Sequence, residues 1–123
     1  MTSWDYFVGF GIEPRRLDEF LDSQGYILSK NQPGQSENGP EKNYESKERL
    51  VDLFYFSKFS AVKEGEVPDW RSSGFEVTSE LMISTKDESA TEEALRLAKA
   101  IVREYNGFLY DPTLDEYFRS KEL

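Results

Sequence analysis

Alternation of bulky apolar residues with polar or small residues is the clearest pattern along the chain, and it predicts β-strands with one covered face. It occurs first over Trp4–Phe10 and is most regular over residues 74–85. In the second stretch, the apolar residues predicted to share the covered face are Phe75, Val77, Leu81 and Ile83. The polar residues predicted to face solvent are Glu76, Thr78, Glu80 and Ser84. This alternation indicates a sheet with one covered and one solvated face.

Two other stretches carry apolar residues three and four positions apart, which is the spacing of a helix with one buried side. The first begins near Pro14, which suits the first turn of a helix, and ends at Gly25. The second begins at Ser89, which forms a capping-box pattern with Glu92, and ends at the Asn–Gly pair at 106–107. The buried side predicted for the second helix consists of Ala94, Leu97, Ala98, Ile101 and Tyr105.

The remaining segments predict shorter strands and a loop. Residues 49–59 are apolar on both sides, which is typical of a central strand. Short strands are predicted at 26–28 and from Phe108, and a short terminal helix is predicted through Phe118. Residues 30–48 contain Pro–Gly and Gly–Pro turn pairs and almost nothing that can be buried. We therefore expect a mobile loop there.

The predicted order is strand, helix, strands, helix, strand, which favours an α+β fold with two helices on one face of a mainly antiparallel sheet. The ferredoxin-like βαββαβ sandwich, or a near variant of it, has this order. The chain has 123 residues, of which 37% are hydrophobic and 15% aromatic. This is enough apolar material for one core without disulfides, so we expect a single domain over residues 1–123.

Histidine and cysteine are both absent from the chain. This excludes disulfides, thiolate nucleophiles, Ser-His-Asp triads and zinc sites built from these residues. An oxygen-only cation site remains possible, but the spacing of a calcium-binding loop does not occur. The paired carboxylates stand in turns or at predicted helix starts, where they are interpreted as solvated charges or caps. We therefore expect no enzyme activity, no bound metal and no cofactor.

The Gly–Phe–Gly sequence at 9–11 stands between a predicted strand and a predicted helix, where some proteins bind phosphate. A dinucleotide-binding loop would require a third glycine at position 14, which is Pro14. The Gly-Lys-Ser/Thr sequence of a nucleotide-triphosphate loop is also missing. The interpretation is that these glycines shape a strand-to-helix turn.

The formal net charge of the chain is −9, from 24 acidic and 15 basic residues. An acidic chain repels nucleic acid and anionic membrane surfaces, so neither is an expected partner. A basic protein is the partner that such a charge favours. The chain has neither a signal-peptide pattern nor an apolar run of membrane-spanning length, and we expect a cytoplasmic protein.

Several acidic residues and one tryptophan are candidates for contacting that partner. Asp5 and Asp52 interrupt apolar strands, so each either points to the solvated face or is buried with a partner. Trp70 lies in a predicted loop, where it is either an exposed interface anchor or a cover for the edge of the core. The residues predicted to form an acidic, aromatic partner-binding surface are Asp5, Asp52, Asp69, Trp70, Glu76 and Glu80.

The sequence thus predicts a non-enzymatic protein-binding module that uses an acidic, aromatic sheet face and its loops. In kind it is similar to small acidic α+β proteins of bacteria that act by binding, including immunity proteins that neutralise basic toxin nucleases. No motif carries that likeness, and a likeness of fold does not establish function. The alternative hypothesis is a small-ligand-binding or regulatory domain that forms a homodimer through its sheet.

Overall fold

The computed structural model describes residues 4–32, 40–46, 48, 50–57 and 68–123, without the side chain of Trp4. The strands within this part of the chain are β1 (Trp4–Phe10), β2 (Tyr26–Asn31), β3 (Lys42–Ser46), β4 (Val51–Phe56), β5 (Ser79–Thr85), β6 (Phe108–Asp111) and β7 (Glu116–Arg119). The α-helices are α1 (Leu17–Ser23) and α2 (Thr91–Tyr105). Single 3₁₀ turns lie at Glu88–Ala90 and Ser120–Glu122.

All seven strands form one sheet in the order β2-β3-β4-β5-β1-β6-β7, and every neighbouring pair is antiparallel. The first strand therefore lies inside the sheet, between β5 and β6. This architecture is α+β, with helices packed on an antiparallel sheet, as the sequence predicts. The ferredoxin-like arrangement is not confirmed, because the sheet has three strands more than the four of a βαββαβ unit.

Two of the additional strands come from segments predicted to be something else. Lys42–Ser46, at the end of the predicted 30–48 loop, forms β3 with Tyr44 buried at its centre. At the other end of that loop, β2 continues to Asn31, and residues 33–39 lie outside the described residues. The predicted terminal helix is instead β7, which pairs with β6 and places Phe118 opposite Leu109. Pairing with the neighbouring strand overrides local preference in both segments.

One face of the sheet is covered by both helices and carries the main core. Val8 of β1 stands between Leu81 of β5 and Leu109 of β6, and all three side chains are buried. The ring of Tyr105, in α2, packs edge-on against those of Phe10 and Phe20, the latter in α1. Its centroid lies 5.8 Å from that of Phe10 and 5.7 Å from that of Phe20. The buried residues of α2 are Ala94, Leu97, Ala98, Ile101 and Val102. Of the predicted stripe, Tyr105 is only half-buried.

The start of α2 differs in detail from the predicted capping box. Asp87 caps the preceding 3₁₀ turn, accepting a hydrogen bond from the backbone N–H of Ser89 at 3.0 Å. The N-cap residue of α2 itself, Ala90, has no side-chain cap. At the other end Asn106 adopts a left-handed conformation with φ 50°, which ends the helix as predicted.

The opposite face of the sheet, here called the second face, carries a smaller core. Trp70, Phe75 and Tyr110 are buried in it, with Val77 and Tyr117 packed against them. The prediction that Phe75 and Val77 share a face with Leu81 and Ile83 is therefore wrong. The regular strand begins only at Ser79, and the preceding residues Phe75 and Val77 pack in the smaller core on the second face.

Candidate functional site

The second face brings three of the predicted site residues onto neighbouring strands. The alternating side chains of β4, β5 and β1 on this face form three cross-strand rows. The rows, each written in the order β4, β5, β1, are Asp52–Ser84–Asp5, Phe54–Met82–Phe7 and Phe56–Glu80–Gly9. An acidic row, an apolar row and a row around Glu80 therefore lie side by side.

The acidic row is half-buried and partly neutralised. Asp5 and Asp52 are both half-buried and stand on either side of Ser84. The Nζ atom of Lys86 lies 3.2 Å from Oδ2 of Asp52, and the lysine side chain is 57% exposed. Only the lysine end of the pair is largely in water, because the Asp52 side chain is 21% exposed, so Lys86 can be exchanged for another cation.

The apolar row lies next to the acidic one. Phe54, Met82 and Phe7 are half-buried, so each keeps part of its side chain in contact with solvent. The ring of Phe7 also packs against that of Tyr110, with the two centroids 6.2 Å apart, and this joins the row to the smaller core. Apolar and sulfur-containing side chains release water when a partner binds, and the carboxylates beside them can pair with cations of that partner.

Glu80 is the most unusual ionisable group on the second face. Its side chain is only 7% exposed, and burial raises the pKa of its carboxyl to about 8. The indole N–H of Trp70 opposes this rise in pKa by favouring the carboxylate. The contact falls short of a hydrogen bond, and Trp70 Nε1 is a buried atom without a partner in the described part of the chain. Glu80 is therefore mainly uncharged at pH 7.

Residues 68–78, here called the Trp70 cover, close this end of the second face. Trp70 is 1% exposed and packs edge-on against Tyr117, with ring centroids 5.4 Å apart. The backbone N–H of Asp69 donates to the Tyr117 hydroxyl at 2.7 Å, and that of Thr78 donates to the carbonyl of Phe10 at 2.9 Å. The cover is thus held at both ends.

The predicted site residues separate into two groups. Asp5, Asp52 and Glu80 lie on the sheet itself, on the second face. The other three lie in the Trp70 cover, where Glu76 is exposed and Asp69 is half-buried. Of the two alternatives for Trp70, the structure shows the one in which it folds back over the core. Glu80, predicted to face solvent, lies beneath that cover.

Sequence reasoning did not identify the apolar row as part of the surface. Phe54 stands in a segment that is apolar on both sides, and Met82 was not assigned to a face. Only strand pairing places them between the two acidic residues and Glu80. The role of Gly9 was also missed, since a Cβ atom there would lie 3.1 Å from two carbons of the Trp70 indole.

A cavity of about 820 Å³ opens beside the strand-to-helix turn that follows β1. Its lining mixes cations and carboxylates, including Arg15, Arg16, Asp18 and Lys42. Lys42 and Asp18 already pair with each other at 3.3 Å. Within the described ranges, no cluster of three or more potential metal-ligating side chains occurs. The turn carries no feature specific to phosphate binding.

A second cavity, of about 550 Å³, lies near the start of β2. Here the Tyr26 hydroxyl donates to Glu93 at 2.7 Å, and Arg96 donates to the same carboxylate at 2.6 Å. The hydrogen bond from Arg96 holds the pKa of Glu93 below its usual range. These groups satisfy one another and join β2 to α2.

Comparisons with protein-family models, with curated proteins and with solved structures find no match to this chain. Among the helices that the structure describes, none combines the length and the apolar character needed to cross a membrane. The case for a function therefore depends on the geometry of the second face.

Proposed function

We propose that this protein is a non-enzymatic binding module that engages a basic protein partner through its second face. The observation that supports this most directly is the adjacency of two half-buried carboxylates, Asp5 and Asp52, to the apolar row of Phe54, Met82 and Phe7. Apolar side chains supply binding energy when water is removed, and neighbouring charges select the partner.

The overall charge favours the same kind of partner. A net charge of −9 attracts a basic protein over distances of about one Debye length, which accelerates association at low salt. The Lys86 side chain that neutralises Asp52 is 57% exposed, so a cation of the partner can replace it. Binding of this kind should weaken as the salt concentration rises.

Catalysis is less well supported than binding. A buried carboxyl with a raised pKa, such as that of Glu80, is a feature of many general acids. Among the described residues, the neighbours of Glu80 on the second face are Gly9, Phe56 and Trp70, and none of these three is a nucleophile or a second proton-transfer group. The proposal therefore assigns no enzyme activity to the chain.

The test first captures the partner from an extract and then compares the Kd of matched variants for the purified partner. Wild-type protein captures its partner from the native extract, and calorimetry then measures the Kd of the purified pair. Phe54→Lys places a cation in the apolar row, and we expect it to weaken binding at least about tenfold. Ile27→Lys, on the outer strand β2 where Ile27 is 46% exposed, serves as the control and should leave the Kd unchanged. An unchanged Kd for Phe54→Lys would contradict the proposal.

A second candidate is a regulatory or small-ligand-binding domain that forms a dimer through its sheet. Strand β2 favours it, because β2 is the outermost strand of the described sheet and its residues Ile27 and Leu28 are 46% and 38% exposed. Light scattering coupled to size exclusion decides between the two candidates. A dimer that Ile27→Lys converts to a monomer, with no captured partner, would support this second candidate over the first.

A further inference from the structure

We propose that the Trp70 cover is a pH-operated device, held on the second face while Glu80 carries its proton and opened more easily when that proton is lost. The cover would expose the sheet around Gly9 when it opens. This inference concerns a conformational equilibrium of the chain and does not depend on the identity of any partner.

The geometry places Trp70 directly over Glu80 and its cross-strand neighbour. Glu80 stands opposite Gly9 in the β1–β5 pair. The indole atoms nearest to Gly9 are Cε2 and Cζ2, each 3.1 Å from the position of a Cβ atom there. Since Cε2 is bonded to Nε1, the N–H side of the ring lies at the Gly9–Glu80 pair. The close fit leaves little room for water around Glu80, in keeping with its exposure of only 7%.

No counter-charge compensates an ionised Glu80 in the part of the chain described. The charged or titratable groups that share the second face with it are Asp5, Asp52, Asp69, Arg71, Glu76, Tyr110, Tyr117 and Arg119. Among the described residues, none of these groups forms a hydrogen bond or an ion pair with Glu80. Asp52 instead pairs with Lys86, and the Arg119 guanidinium lies 4.5 Å from the centre of the Phe75 ring.

The direction of the pH effect follows from these contacts. Burial raises the pKa of Glu80 to about 8, whereas a carboxyl exposed by opening returns towards 4.5. The closed form therefore binds the proton more tightly than the open form. Between these two pKa values, the equilibrium constant for opening should rise about tenfold per pH unit, and above pH 8 it should level off.

Amide hydrogen exchange measured by NMR tests this, because exchange through brief openings reports the opening constant. The reporters are the two N–H groups that hold the cover to the sheet: that of Asp69, bonded to the Tyr117 hydroxyl at 2.7 Å, and that of Thr78, bonded to the Phe10 carbonyl at 2.9 Å. Their protection factors should fall about tenfold per pH unit from pH 5 to 8. Amides of the β1–β5 pair should remain better protected than the reporters at every pH.

Two variants separate Glu80 from other carboxyls. Glu80→Gln should make the protection factors of both reporters independent of pH, while Glu76→Gln, an exposed carboxyl in the same cover, should keep the wild-type slope. The wild-type titration stands by itself if Glu80→Gln fails to fold. The proposal would be overturned if the protection factors of the reporters did not change from pH 5 to 8. It would also be overturned if they equalled the protection factors of the β1–β5 amides at every pH. A wild-type slope in Glu80→Gln would do the same.

Discussion

The hydroxyl group of Tyr44, at the centre of β3, donates a hydrogen bond to Oδ1 of Asp18 in the first turn of α1. Lys42, two residues earlier on β3, places its Nζ atom 3.3 Å from the same oxygen. These contacts fasten a helix of only seven residues to the sheet. An isolated helix of that length is unstable in water, so its position depends on such tertiary contacts.

Replacing Tyr44 by Phe should therefore destabilise the protein. Tyr44 is fully buried, and the variant removes the hydroxyl that satisfies Asp18 while leaving the ring in place. We expect a loss of about 1–2 kcal/mol in the free energy of unfolding, measured by urea denaturation. Tyr105→Phe is the matched control, because that hydroxyl donates to the Arg15 carbonyl at an exposed position. Equal losses in the two variants would contradict the assigned role of Asp18.

Gly9→Ala should destabilise the protein through a direct clash. The new Cβ atom would stand 2.7 Å from Cγ2 of Val77 and 3.1 Å from the Trp70 indole. Relieving this clash requires the Trp70 cover to move, which should lower the free energy of unfolding by about 1–3 kcal/mol, measured by thermal or urea denaturation. Gly11→Ala provides a graded comparison, since its nearest contact is 3.3 Å and the position is exposed. If Gly9→Ala unfolds like the wild type, Trp70 does not pack as described.

The raised pKa of Glu80 predicts a specific dependence of global stability on pH. The unfolded chain ionises this carboxyl near pH 4.5, while the folded chain keeps the proton until about pH 8. Stability from this group therefore falls as the pH rises through that window and is constant above it. The difference in unfolding free energy between Glu80→Gln and wild type should grow by about 1.4 kcal/mol per pH unit in the window.

Urea denaturation at pH 5, 6, 7 and 8 measures that difference for Glu80→Gln and for Glu76→Gln. Comparing slopes with pH, rather than absolute stabilities, removes the constant cost of burying a glutamine amide. A difference that stays the same across the four pH values would show that Glu80 is not protonated in the folded protein.

Arg16 should tolerate glycine better than its neighbour does. It stands immediately before α1 with φ 55° and ψ 38°, a left-handed conformation that costs a non-glycine residue about 1–2 kcal/mol. Arg16→Gly should therefore stabilise the protein by about 0.5–1 kcal/mol once the added backbone entropy of the unfolded chain is subtracted. Arg15→Gly, at a residue without this conformation, should instead be destabilising. Thermal unfolding of both variants checks this, and destabilisation by Arg16→Gly would contradict it.

The local sequence was sufficient for those elements whose pattern is complete within one segment. α2 has its apolar stripe, its acidic first turn and an Asn–Gly stop within 17 residues, and the structure confirms the helix at Thr91–Tyr105. Trp4–Phe10 likewise alternates along its whole length and forms β1. Helical hydrogen bonds join residues four apart, and side-chain alternation in a strand is a property of the backbone, so both are readable locally.

Only the tertiary structure decided which strands pair and what covers each face. β3 and β7 are only five and four residues long, and their strand structure depends on hydrogen bonds to β4 and β6. Alternation predicts that Glu80 and Leu81 lie on different faces of the sheet. It cannot show that Trp70, ten residues earlier, covers the face that carries Glu80. Burial of a carboxyl depends on contacts between segments that are distant along the chain or separated by a turn. The same sequence pattern is therefore compatible with an exposed glutamate or with the buried one of this structure, whose pKa is raised by burial.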